Sequence, residues 1–127
     1  MSRHNPIVVT GFLTVAALLI ALPASSEDQA PRSYVASPEV YKVLAQNDKT
    51  KVVLATWPPG KRDNWHSHPA NGAYWLTDCD GRVHTPDGKF VDISRKAGSA
   101  VAQAAIPSHS FENRGATECR VIIIEQD

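Results

Sequence analysis

The chain has 127 residues, 43% of them hydrophobic, with 13 basic and 13 acidic side chains and two cysteines. Both signs are interspersed and no basic run exists to neutralise phosphates, which excludes nucleic acid as an expected partner. With no repeat or low-complexity tract, this length accommodates one domain.

Met1–Ser26 has the layout of a secretory signal peptide. Arg3 and His4 precede the uncharged, mostly apolar run Ile7–Leu22, and Pro23-Ala24-Ser25-Ser26 follows before charge begins at Glu27 and Asp28. That run is shorter than the roughly 20 apolar residues a membrane-spanning helix needs. The expectation is a cleaved leader over residues 1–26, a periplasmic or secreted product, and no membrane association after cleavage. Residues 27–36 read as a short flexible arm, and residues 37–127 as the folded domain.

Within that domain, Ser37-Pro38 carries a helix-start pattern, Ser as cap and Pro at the first helical position. Val40, Tyr41 and Leu44 then share one face of a short helix ending near Asn47. Lys51–Trp57 is strand-forming and stops at the turn signal Pro58-Pro59-Gly60. Ala73–Cys79, Arg82–Thr85, Lys89–Ile93, Ser99–Ala104, His109–Glu112 and Arg120–Glu125 follow as short strands, with Pro86-Asp87-Gly88 as the tightest hairpin turn. Val121–Ile124 is apolar at every position, as in a strand covered on both faces or in an edge that pairs two copies. Short strands at regular spacing predict an all-β sandwich or barrel.

The residues richest in chemistry are His66 and His68, followed by His109 and Asn113. On a strand, positions i and i+2 share a face, so H-x-H can present two imidazoles to one ion. Neutral imidazole is a common ligand of Zn, Fe, Ni and Cu, and His109 would close a three-histidine site. By spacing alone, a solvated Trp65–Pro69 loop with an unrelated His109 stays open.

Pro58–Pro69, containing Gly60-x5-His66-x-His68, resembles the first motif of the cupins, G-x5-H-x-H-x3,4-E-x6-G. Gly98-x10-His109-x3-Asn113 resembles their second motif, and the likeness runs from about Ser37 to Glu125. The resemblance implies a cupin double-stranded β-helix, or jelly-roll barrel, here with a short N-terminal helix. His66, His68 and His109 would hold a divalent metal (Fe, Zn, Ni, Cu or Mn) in the barrel mouth.

The chain departs from the pattern where the family has its glutamate ligand, since Asn71–Tyr74 contains no acid. Ala104 and Ile106 also replace the second motif's Pro and Gly. Losing the carboxylate disfavours harder ions such as Mn²⁺ more than Zn²⁺, Ni²⁺ or Cu²⁺. Trp65, Tyr74, Trp75 and Phe111 lie near the motifs and would line a small-molecule pocket in the mouth; strand alternation forbids Tyr74 and Trp75 both pointing inward.

Asn113 is expected to hold the loop after His109 through backbone hydrogen bonds. Homodimerisation, common among cupins, is the default assembly. The family topology sets Cys79 at the end of a strand beside the start of the last strand at Cys119, which implies a disulfide in an exporting context; two free thiols are the alternative. Three functions stay open: a metal-dependent enzyme such as a thiol-dioxygenase-like oxidoreductase, a Lewis-acid isomerase or lyase, and a non-catalytic ligand-binding protein, with or without its metal.

Overall fold

The described residues form nine strands: β1 (Tyr41–Gln46), β2 (Thr50–Trp57), β3 (His66–His68), β4 (Asn71–Trp75), β5 (Cys79–His84), β6 (Phe90–Arg95), β7 (Ala100–Gln103), β8 (Ile106–Asn113) and β9 (Cys119–Gln126). The structure, a computed structural model, describes residues 29–127; the leader expected over residues 1–26 lies outside them. One sheet has the order β1-β2-β9-β4-β7 and the other β3-β8-β5-β6. Every named strand pairing is antiparallel. The expected all-β architecture is therefore present as two facing sheets.

The inward residues form the core. From β2 come Val53, Ala55 and Trp57, from β4 Ala73 and Trp75, from β8 Phe111, and from β9 Val121 and Ile123, all buried. Within the four-stranded sheet, Gly81 on β5 makes room for a side chain of the neighbouring strand β8, because a Cβ there would stand 2.1 Å from Phe111 Cζ. Only glycine admits the Phe111 ring at that place. At the β5–β6 hairpin, Gly88 adopts φ 83°, Asp87 accepts the Lys89 N–H at 3.1 Å, and the expected Asp-Gly turn chemistry is realised.

The helix expected over Ser37–Asn47 is not formed. Ser37 O accepts the N–H groups of both Val40 and Tyr41 at 3.0 Å, so the start signal produces a single turn. Tyr41–Gln46 then extends as β1 and pairs with β2. Tyr41 fits a strand face as well as the helical face it would share with Val40 and Leu44, and the unpaired edge of β2 decides between them, an ordinary tertiary override of local propensity.

A short helix lies earlier among the described residues, at α1 (Ser33–Ala36), inside the segment expected to be a flexible arm. From Ala30 onward that segment is fastened: Ala30 N donates to Pro107 O, Ser67 N donates to Pro31 O, and Arg32 bridges Ser67 in parallel. The outer edge of β3 is thus covered.

Two further expectations change. Val121–Ile124 is not covered on both faces in the protomer. Strand β9 is central, flanked by β2 and β4, yet Ile124 faces outward and is 47% exposed. The disulfide joins Cys79 and Cys119, with Cα atoms 5.2 Å apart, but the strand neighbourhood behind the expectation differs. Strand β4 ends at Trp75, and Cys79 instead opens β5 in the opposite sheet. The bond therefore ties the two sheets together at one end.

Candidate metal centre

Strand β3 is three residues long and turns both His66 and His68 inward, where they are buried. His66 lies directly opposite His109 on β8, while His68 lies opposite Ile106. Two steps on β3 therefore match three on β8, a bulge of the kind that re-aims side chains. The ring centroids are 4.5 Å apart for His66 and His109, 4.8 Å for His66 and His68, and 5.2 Å for His68 and His109. One nitrogen from each ring lies within 4.8 Å of the others.

The outer nitrogens decide which atoms face the centre. His66 Nδ1 is 2.8 Å from Asn64 O, an atom that can only accept, so this nitrogen carries the hydrogen. His68 Nδ1 is 2.7 Å from Glu125 Oε1 and donates likewise. Both Nε2 atoms are consequently bare acceptors, and they face each other at 3.0 Å. Two lone pairs at that distance repel unless a cation or proton lies between them. His109 Nε2 is also buried with no partner. Burial holds the His109 imidazole down to about 3, with His66 and His68 adding to the effect. Burial likewise lowers His66, partly offset by the Asp63 charge. Neutral rings are the form that ligates metal.

Three residues that motif reading missed surround the triad. Glu125 is fully buried on the inward side of β9, and its Oε2 has no partner. Asp63 is 4% exposed and fully engaged. Its Oδ2 accepts from the Tyr41 hydroxyl at 2.7 Å and from Trp57 Nε1 at 2.9 Å, and its Oδ1 accepts from Phe111 N at 2.7 Å. Tyr41 Oη is 3.0 Å from His66 Nε2; burial and the Asp63 charge push this hydroxyl well above its ordinary range. An inward acid on an otherwise apolar strand, and an acid three residues before His66, were the available sequence signals.

A cavity of about 400 Å³ opens beside the triad, lined by His68, His109 and Tyr41 together with apolar side chains such as Val83, Val101 and Ile123. Of the four aromatic residues expected to form a pocket, Trp75 and Phe111 line it. Trp65 and Tyr74 do not: they are 41% and 47% exposed. Alternation along β4 explains Tyr74, and Trp65 stands outside the strand next to Arg62, whose guanidinium lies over its ring. Trp75 Nε1 and Arg95 Nε, both from cavity-lining residues, are buried donors without partners. Asn71 donates to Pro69 O, and Asn113 bonds Trp57 O, Thr117 O and Gly115 N, holding the loop after β8 as expected.

No protein-family profile and no curated protein sequence matches this chain. Solved structures do. A cupin domain from Bordetella pertussis superposes with a TM-score of 0.64 at 23% identity, covering 78% of this chain and 97% of that one. An RmlC-like cupin with a double-stranded β-helix fold from Methanocaldococcus jannaschii gives 0.54 at 11% identity, covering 68% and 78%. A cupin-superfamily protein from Desulfitobacterium hafniense gives 0.51 at 15% identity, covering 68% and 75%. The fold is that of the cupin jelly roll.

Proposed function

We propose that this protein binds a divalent metal ion through His66, His68 and His109 and holds a small organic molecule in the adjoining cavity. The observation that carries the reading is electrostatic. The bare Nε2 atoms of His66 and His68 converge with the His109 ring, whose buried Nε2 has no partner, and two buried carboxylates, Asp63 and Glu125, stand behind them. Among the described residues, the only cation-forming groups within ion-pair distance of those carboxylates are His66 and His68. A buried charge without a countercharge is costly. A divalent cation at the focus of the rings would offset both carboxylates and relieve the facing lone pairs. Carboxylates that fix ligating histidines are a recurring support of metal sites.

Three imidazoles with no carboxylate in direct reach favour Zn²⁺, Fe²⁺, Ni²⁺ or Cu²⁺ over Mn²⁺. Such an ion would supply Lewis-acid polarisation of a donor atom presented from the cavity. The chain's own contribution is to orient that molecule: apolar walls take its body, and the free N–H groups of Trp75 and Arg95 take an acceptor on it. The leader-like Met1–Ser26 and the disulfide support an exported protein. Among the described residues, no helix is long and apolar enough to cross a membrane. The exposed Ile124 and Tyr74 on the outer face of the five-stranded sheet support a homodimer, which light scattering in solution would test.

Calorimetric titration with Zn²⁺ tests the metal reading. One ion per chain is expected for the native protein, and His109→Ala should lose affinity by orders of magnitude while remaining folded. Equal affinity in the two proteins would refute the site.

A further inference from the structure

The triad leaves one position of a four-coordinate ion to be filled, and the segment Asn71–Tyr74 offers no acid to fill it. We infer that the phenolic oxygen of Tyr41, reaching in from β1, is the fourth protein donor of the metal site. The inference rests on the metal-binding reading above and extends it to a residue outside both histidine motifs.

The hydrogen-bond pattern around Tyr41 carries the argument. A phenol has one proton, and the oxygen of Tyr41 has two close neighbours: Asp63 Oδ2 at 2.7 Å and His66 Nε2 at 3.0 Å. The Asp63 carboxylate can only accept, so the proton lies in that bond, which is short and charge-assisted. The contact with His66 Nε2 is then acceptor against acceptor, because the hydrogen of His66 is committed to Asn64 O through Nδ1. The same conflict occurs between His66 Nε2 and His68 Nε2 at 3.0 Å. Lone pairs of Tyr41 and His68 thus both press on His66 Nε2, and His109 Nε2 is buried nearby without a partner.

The distances fit a shared ion. Bonds of about 2.0–2.1 Å in a tetrahedral site set neighbouring donors roughly 3.3–3.4 Å apart, close to both 3.0 Å contacts. The surroundings fit as well. Tyr41 is 3% exposed, its ring meets Trp57 edge-on at 5.4 Å, and Asp63 is itself held by Trp57 Nε1 and Phe111 N. The oxygen is therefore pre-positioned. Asp63 stands behind Tyr41 as Glu125 stands behind His68, so each of two ligands is polarised by a buried carboxylate, the arrangement that strengthens donors elsewhere. Tyr41, His68 and His109 all line the cavity, so an ion accepting further ligands would present its free positions there.

Cobalt(II) is the probe, because its visible spectrum reports the donor set directly. The native protein should bind Co²⁺ with all four donors engaged. Tyr41→Phe, which keeps the ring and removes only the oxygen, should bind about 10- to 100-fold more weakly and show a changed visible spectrum at saturation. Titrating the native protein with the colourless Zn²⁺ should perturb the near-ultraviolet tyrosine absorption. That second measurement needs no variant and settles the matter if Tyr41→Phe folds poorly. Tight Co²⁺ binding with the same spectrum and affinity in Tyr41→Phe, or no tyrosine perturbation by Zn²⁺, overturns the fourth donor and leaves the triad standing. Failure of the native protein to bind either ion overturns the metal reading and this inference together.

Discussion

Glu125 is the residue whose removal most sharply separates a metal role from a structural one. Its Oε1 lies 2.7 Å from His68 Nδ1, its Oε2 has no partner, and the side chain is fully buried. In Glu125→Gln the shape is kept and the charge removed. The amide can rotate to donate to Nδ1, which would move the imidazole hydrogen to Nε2 and aim it at the site. Loss of such a supporting carboxylate ordinarily lowers metal affinity about 10- to 100-fold, or roughly 1.4–2.8 kcal/mol at 1.4 kcal/mol per decade. The metal-free protein should behave oppositely. It sheds a buried charge with an unpartnered oxygen, so its stability should hold or rise. Competition titration against a Zn²⁺ chelator gives the first quantity, and urea unfolding of chelator-treated protein the second. An unchanged Zn²⁺ affinity combined with a destabilised metal-free protein would show that Glu125 is a packing residue and that the tautomer argument is wrong.

The metal-free protein should lose stability on acidification. His109 sits at about 3 when folded against about 6.5 unfolded. Between those values the unfolded chain binds a proton that the native chain does not, so stability falls as pH drops, by about 2 kcal/mol from pH 7 to pH 5; equal urea midpoints at the two pH values would contradict this. Replacing both Cys79 and Cys119 by serine opens a 40-residue separation and should cost about 3–4 kcal/mol by the chain-entropy model. Two free thiols in unreduced, unfolded protein would dispose of the bond. Gly81→Ala places a Cβ 2.1 Å from Phe111 Cζ and 3.2 Å from Glu112 O, so about 1–3 kcal/mol of overpacking is expected, and a wild-type melting temperature would argue against that close approach.

Periodicity and local chemistry reach a long way in this chain. H-x-H on a strand needs only alternation to put both rings on one side, and the Asp-Gly turn and the strand character of Lys51–Trp57 follow from side-chain type. What they leave undecided has a common cause: non-local contacts choose between equally good local options. Tyr41 fits a helix face and a strand face alike until the free edge of β2 captures it, and the arm from Ala30 acquires its order from β3. Val121–Ile124 is apolar throughout, so its pattern conceals which side is the core. The structure shows Val121, Ile123 and Glu125 turned inward, and only then does Glu125 become a partner of His68. Likewise Trp75 rather than Tyr74 enters the cavity because the pairing of β4 with β9 sets the phase of the pleat. The three histidines could be named from their motifs, whereas Asp63, Tyr41 and Glu125 lie on separate segments with no shared pattern. Their convergence is a product of sheet register, which no local stretch of sequence encodes.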